Sequence, residues 1–377
     1  MINRVETLGL YVHVPFCRTR CRYCDFYRVG DNSARMTLFL AALGREVAGT
    51  EPPTGSAVDT IFFGGGTPSL LEPEEVASAL QGLRARFDVT DGCEISLESN
   101  PSDLSPSRLE GYRRAGINRL SLGVQSLCDR ELDLLGRRHD AERAMQCVVW
   151  AREAGFDNLS LDLMLGIPGQ TAGSFRHTVE EAVGLGTDHM SVYILEVHPG
   201  SEIDGLLRSR PGLFPSDEAQ CNRYEFLAER LPEAGLDQYE ISNFAREGAQ
   251  CRHNLKYWRR EPFLGFGPSA HSNVGERRWR RPADLVAYLA NPLAGEELES
   301  DDGLESVFLP LRLSEGLGLD ALCRLLQIDA AEAVRRLTAM EPYLELIDDR
   351  VRFTVRGFLI SNAVLSELIS WRPEAIA

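Results

Sequence analysis

Three cysteines crowd together near the start of the chain: Cys17, Cys21 and Cys24, spaced C-x3-C-x2-C within YVHVPFCRTRCRYCDFY. Thiolate is the soft donor that iron-sulfur clusters require, and each of these three can hold one iron of a [4Fe-4S] cluster. The fourth iron then has no nearby cysteine, which leaves a coordination position for a chelating ligand from outside the chain. A structural zinc site and plain buried thiols are the competing readings. Zinc would want a fourth Cys or His at a familiar spacing, and none follows. The chain has nine cysteines in all. Cys93, Cys128, Cys147, Cys221 and Cys323 sit in apolar or amphipathic runs and read as small hydrophobes, while Cys251 is ambiguous. This distribution fits a metal site in a reducing compartment better than a disulfide framework.

Short β-branched and aromatic runs must position that loop. GLYVHV, DTIFFGGG, CEISLES, INRLSLGV, DNLSLDLMLG and DHMSVYIL follow one another at intervals that leave room for a helix between each pair. Repeated βα units predict a parallel sheet, hence an α/β fold. Several runs end in polar or glycine-rich residues: Gly64, Gly65, Gly66 and Thr67, then Glu98 to Asn100, Gln125 and Asp162. Ligands of parallel α/β folds sit at those carboxyl ends. Six strands fall short of a closed eight-stranded barrel, so the expectation is a partial, splayed (β/α)6 TIM-like barrel with a wide mouth.

The 377 residues suggest about two domains at a soft ~150 residues each. Apolar residues make up 44% and charged residues 25%, which excludes a largely disordered or low-complexity chain. A net charge of −16 would repel a phosphate backbone, so nucleic acid is not expected as a partner. No stretch approaches the ~18 to 20 apolar residues of a membrane span, and no cleavable leader is evident, so a cytoplasmic protein is expected. From about residue 210 the βα rhythm weakens. Glu296 to Glu305 holds six carboxylates and reads as a solvated connection between units. Beyond it, a helical run over Asp320 to Met340 leads to a hairpin around Asp348-Asp349-Arg350 and an amphipathic helix near Phe358 to Ile369, a smaller α+β winged-helix-like unit.

Taken with the partial barrel, the cysteine motif resembles the radical S-adenosylmethionine superfamily, in which the amine and carboxylate of S-adenosylmethionine chelate the unique iron. Phe26, the aromatic after Cys24, belongs to that pattern, and Gly64-Gly65-Gly66-Thr67-Pro68 looks like its glycine-rich strand end. YVHVPFC, GGGTPS, ESNP, SLGVQS, GRRHD and DLMLGIPGQ occur in the order seen in the coproporphyrinogen-dehydrogenase-like branch, along roughly the whole chain. The resemblance implies that Tyr11 lies near the cluster and S-adenosylmethionine, that Glu98 and Gln125 contact this ligand, that Arg137 faces its carboxylate, and that Asp162 takes ribose hydroxyls. The chemistry agrees, since guanidinium suits carboxylate and carboxylate accepts from hydroxyls. The oxygen-independent coproporphyrinogen III dehydrogenases, HemN, carry a further cysteine two residues after the third, where this chain has Phe26, and a longer N-terminal extension.

Residues 251–258, CRHNLKYW, contain HNxxYW as His253, Asn254, Tyr257 and Trp258. This motif resembles the signature of the HemW-type heme chaperones. The resemblance implies three units: a radical SAM core over 1–235, a heme-motif segment packed on it over 236–295, and a HemN-like C-terminal domain over 296–377. If helical, the segment sets His253 with Tyr257 and Asn254 with Trp258 on i,i+4 ridges, offering an iron ligand beside an indole for a porphyrin face. His253 is the first axial-ligand candidate and His271 the second, while His13 reads as strand packing. Between Arg252 and Arg281 lie eight Arg or Lys and two Glu, a local net charge of +6 that could hold propionates or touch a membrane surface. From chemistry alone, Tyr257 and Trp258 packing a core with His253 as a helix cap is the favoured reading; only the motif overturns it.

The leading expectation is a heme chaperone that carries a [4Fe-4S] cluster and S-adenosylmethionine and transfers heme to acceptor apoproteins, with a homodimer compatible. An oxygen-independent coproporphyrinogen III dehydrogenase is the enzymatic alternative. A radical methyltransferase is weaker, for want of a recognisable methyl-transfer site.

Overall fold

The computed structural model describes residues 7–299 and 303–372. All six expected strands form: β1 (Thr7–Val14), β2 (Ala57–Gly65), β3 (Val89–Ser99), β4 (Arg119–Gln125), β5 (Asn158–Leu165) and β6 (His189–Ile194). They pair in parallel and in chain order. Their near-continuous apolar runs follow from burial on both faces, since the strands are covered by crossover helices outside and by barrel side chains inside. In β1, for example, six of the eight residues are buried.

The crossovers are α1 (Ser33–Gly49), α2 (Pro73–Arg86), α3 (Pro106–Ala115), the pair α4 (Asp129–Leu135) and α5 (Ala141–Glu153), and α6 (Ala172–Gly184). Polar N-caps start them where the sequence changes period. Asn32, Ser105, Asp140 and Thr171 each accept a backbone N–H of the first turn. After β6 come α7 (Glu202–Ser209) and α8 (Asp217–Glu233), and then the βα rhythm gives way as expected. The hairpin of β7 (Asp237–Glu240) and β8 (Asn243–Ala245) adds antiparallel to β6.

Residues beyond this hairpin do more than pack on the core. After α9 (Arg252–Trp258), β9 (Phe263–Phe266) joins β1 in parallel as a seventh barrel strand, and β10 (His271–Val274), β11 (Arg277–Arg280) and β12 (Glu296–Leu298) extend the sheet antiparallel from it. The short helix α10 (Leu285–Ala290) bridges β11 and β12. The full order is β12-β11-β10-β9-β1-β2-β3-β4-β5-β6-β8-β7. Glu296–Leu298 is therefore an edge strand rather than a free solvated connection, and residues 300–302 of the acidic run lie outside the described residues.

The C-terminal unit has α11 (Glu305–Leu311), α12 (Leu319–Leu326), α13 (Ala330–Ala339), α14 (Val355–Leu359) and α15 (Ser361–Ile369) around a small sheet. That sheet orders β13 (Leu317–Gly318), β15 (Arg350–Phe353) and β14 (Leu344–Ile347). The expected hairpin is present. Asp348 and Asp349 both take positive φ, 50° and 58°, which matches the twist a two-residue hairpin turn needs. The expected helix over Asp320 to Met340 is two helices, because Gln327 turns left-handed at φ 57° and Asp329 caps the second.

Candidate functional site

The loop after β1 carries Cys17, Cys21 and Cys24 across the carboxyl ends of the strands, where all three line a cavity of about 350 Å³. Thr67 Oγ1 donates to Cys17 Sγ at 3.3 Å and Arg137 Nη1 to Cys21 Sγ at 3.4 Å, so two donors already point at sulfur. No three His, Cys, Asp or Glu side chains among the described residues converge closely enough to hold a single metal ion. Spread thiols on one loop suit a cluster, in which each binds a different iron.

The glycine-rich end of β2 is required by close approach. A Cβ at Gly65, whose φ is +107°, would lie 2.6 Å from the His13 ring, and one at Gly66 would lie 2.7 Å from the Phe16 carbonyl oxygen. Gly65 N–H donates to Glu98 Oε2 at 3.1 Å, joining the ends of β2 and β3. Burial first, and then neighbouring Asp162, push the Glu98 carboxyl up to about 8. Burial also raises Asp162, which accepts from Ser121 Oγ at 2.9 Å. Gln125 sits at a bulge in β4 with φ 69°, a conformation a non-glycine residue adopts at a cost of about 1–3 kcal/mol and which turns its side chain into the cavity rim.

Arg137 is half-buried, donating to the Gly123 carbonyl as well as to Cys21, and its buried Nε has no partner. Ser99 Oγ, also at the cavity, is buried without one. Unpaired donors beside two crowded carboxyls are what a site for a zwitterionic, hydroxyl-bearing ligand leaves behind, so the residues present fit S-adenosylmethionine next to a cluster. Phe26 is at the rim with 63% exposure. Tyr11 and Gly64 lie one layer deeper: the Tyr11 ring packs under Gly64, stacks on Phe62 and bonds His13 Nδ1 at 3.2 Å. They support the strand ends and do not line the cavity.

The HNxxYW segment is helical, as the i,i+4 reading required, but it closes the opposite end of the barrel. Glu94, in the middle of β3, caps α9 by accepting Arg252 N–H and His253 N–H, both at 3.3 Å. His253 is 1% exposed, with Nδ1 2.9 Å from Thr60 Oγ1, Nε2 2.8 Å from Tyr257 Oη, and its ring stacked on Phe62. Burial holds the imidazole neutral, with its pKa down to about 3. Gly9 makes this possible, because a Cβ there would meet Lys256, Thr60 and His253. Asn254 is half-buried on the same helix, and the Trp258 ring lies under the Arg312 guanidinium at 5.9 Å.

The family model described as the Radical SAM superfamily matches residues 11–182. A heme chaperone HemW of Mycobacterium tuberculosis is 38% identical over 97% of this chain and 95% of its own length. The chain belongs to the HemW family. HemW of Escherichia coli is 37% identical over 72% of this chain and 71% of that relative. The solved structure of E. coli coproporphyrinogen III oxidase (HemN), titled a radical SAM enzyme, superposes with a TM-score of 0.81 at 22% identity, covering 97% of this chain and 91% of that one. At that identity it supports the fold alone.

Two expectations for this HemW-family chain meet a different geometry. His253 is not open to an iron in this fold: both ring nitrogens are engaged, Tyr257 is one of its partners, and the half-buried indole of Trp258 lies beside Arg312. Nor is the local charge of +6 a free basic patch, since all eight cations have carboxylate partners. Arg252 and Lys256 pair with Asp59, Arg259 with Glu315, Arg260 and Arg278 with Glu305, Arg277 with Glu297, Arg280 with Glu296, and Arg281 with buried Glu46. Much of the acidic run thus neutralises the basic one, across the β11–β12 pair.

Three residues of the mouth escaped the sequence reading. Tyr23 lies between two cluster cysteines and beside Arg137, and its place in the loop was a usable signal. Tyr193 ends β6, where the strand-end rule applied to four other strands would have found it. His198, in the loop after β6, has no motif around it. No helix among the described residues is long and apolar enough to cross a membrane.

Proposed function

We propose that this chain is a cytoplasmic heme chaperone that carries a [4Fe-4S] cluster and S-adenosylmethionine and passes heme to acceptor apoproteins. The observation that carries the reading is the near full-length match to relatives named heme chaperones, on a chain whose cluster loop and strand ends share one cavity. Cys17, Cys21 and Cys24 would hold three irons of the cluster, and S-adenosylmethionine would complete the fourth. When bound, the cluster supplies one-electron reduction.

The chain's own groups bind and orient. Arg137 would meet the ligand carboxylate with its unpaired Nε while holding Cys21 with Nη1. Asp162 would take ribose hydroxyls, with Ser121 fixing one of its oxygens. Glu98, largely protonated in the cofactor-free protein at neutral pH, would lose its proton when an ammonium group arrives. Gln125 would contact the adenosyl ligand from the bulge of β4. Gly65 and Gly66 would expose backbone carbonyls to the ammonium, with Gly64 supporting them from one layer below, and Thr67 would hold Cys17.

The test is anaerobic reconstitution followed by parallel assays of heme retention, heme transfer to an apoprotein, and conversion of coproporphyrinogen. Heme retained and transferred without porphyrinogen turnover is the expected result. Decarboxylation at catalytic turnover with no heme retained would replace the chaperone reading by the dehydrogenase one.

A further inference from the structure

A heme needs three things from a protein: a reachable iron ligand, apolar cover for the ring faces, and cations for the propionates. Among seven histidines the first requirement is selective. His13, His189 and His253 are buried, and each has both ring nitrogens bonded within the fold. His139 is also buried, bonded to the Val124 carbonyl. His177 sits on the outer face of α6 beside Glu181, and His271 on β10 near Arg278 and Arg280; neither lines the cavity of the cluster loop.

His198 differs on every count. It lines that cavity, its side chain is 37% exposed, and only one ring nitrogen faces a partner, Nε2 at 3.3 Å from Asp25 Oδ2 and 3.9 Å from Glu196 Oε2. A carboxylate on one imidazole nitrogen orients the ring and raises the basicity of the other, the arrangement metal-binding histidines commonly show. The loop is also fixed: Ser201 N–H donates to the His198 carbonyl at 3.1 Å across Pro199 and Gly200, with Gly200 at φ +81°, a Pro-Gly turn that holds position 198.

The other two requirements meet at the same rim. Phe26, Tyr193 and Ile194 are large apolar side chains that remain exposed and line the same cavity. Arg28 lines it too, donating to the Phe26 carbonyl at 2.8 Å. At the floor, by contrast, the imidazole is sealed and the neighbouring cations are paired.

We propose that heme docks across the mouth of the barrel with His198 as an axial ligand of its iron, Phe26, Tyr193 and Ile194 against the porphyrin, and Arg28 toward a propionate. This rests on the heme-carrying reading above and assigns it to the end of the barrel that holds the cluster, away from the HNxxYW helix.

Hemin titration of the anaerobically reconstituted full-length protein tests it, with the Soret band and affinity as readouts and cluster absorbance as the control for folding. His198→Ala is expected to shift the Soret band and weaken hemin binding at least tenfold, while His253→Gln leaves both unchanged. Imidazole added to a His198→Gly variant should restore the wild-type spectrum, which a loss of packing alone would not allow. Wild-type spectrum and affinity in His198→Ala would overturn the assignment while leaving the chaperone reading intact. Failure of the wild type to retain hemin would instead sink that reading itself.

Discussion

At the floor of the barrel, His253 and Tyr257 spend their polar atoms on each other and on Thr60, and buried Lys256 sits between Asp59 and Glu261. At the mouth, Arg137 Nε and Ser99 Oγ have no partner, Glu98 and Asp162 crowd one another, and His198 is tied by a single nitrogen. Both ends use imidazole, phenol, carboxylate and cation. The difference lies in satisfaction: a buried polar group with all its bonds made stabilises one geometry, whereas one left unpaired on a cavity wall is available to a ligand.

The largest expected break is at the cluster loop. Cys21→Ala removes an iron ligand for which the loop holds no substitute, so stable [4Fe-4S] content should be lost, whereas Cys323→Ala in α12 should keep it. Iron analysis and Mössbauer spectra of reconstituted protein distinguish the two, and a full cluster in Cys21→Ala would falsify the ligand set.

The floor should fail differently. His253→Ala leaves Thr60 and Tyr257 unsatisfied beside a new cavity, at a cost of about 3 kcal/mol or more in folding stability. Urea unfolding of the cofactor-free protein reads this directly. Unchanged stability would mean that the floor is not the sealed plug its hydrogen bonds describe.

Arg137→Ala tests the mouth without removing an iron ligand. Loss of a charge-assisted bond should weaken S-adenosylmethionine binding by about 1.5–3 kcal/mol, read by calorimetry on the reconstituted protein. Because Arg137 also donates to Cys21, the cluster should remain but with an altered spectrum. Equal affinity in wild type and variant would show that the guanidinium serves only the loop.

The most gradual effect is a pH slope, small over any one pH unit. The folded Glu98 carboxyl is held up near 8 against a usual 4.5, so the fold keeps its proton more tightly than the unfolded chain does. Relative stability is therefore greatest below pH 4.5 and falls as pH rises toward 8, by up to about 1.4 kcal/mol per pH unit. E98Q carries no such proton and should lack that part of the slope. Parallel wild-type and E98Q stability curves between pH 5 and 8 would contradict the buried, crowded state of this carboxyl.

What the sequence could and could not disclose follows the range of the interactions. The six parallel strands were legible because burial on both faces writes itself into local apolar runs. FLGF at 263–266 was not, because four residues between Pro262 and Gly267 become a strand only through pairing with β1. The spacing of HNxxYW was compatible with the helix that forms. Its destination was not, since that depends on Gly9 leaving space at the far end of β1. The basic run misled for a related reason: its partners Glu46, Asp59 and Glu315 come from other parts of the chain, and charge counted along a window does not see them. Glu98, Gln125 and Asp162 do share the cavity with the cysteines, as residues toward strand ends in a parallel barrel must, whereas Arg137 reaches it from the loop after α4.

The position of β1 bears on how the nascent chain matures. It lies inside the sheet, between β2 and β9, and the cluster loop follows it directly. Until residues 263–266 have left the ribosome, one edge of β1 remains bare beside the three cysteines, an invitation to pair with another chain. The ion pair of Glu46 with Arg281 and the Tyr288 hydroxyl is completed later still. Iron delivered during translation would therefore meet an unfinished wall. Cluster loading would then follow emergence of residues 263–288, and a fragment ending before β9 should aggregate rather than accept a cluster.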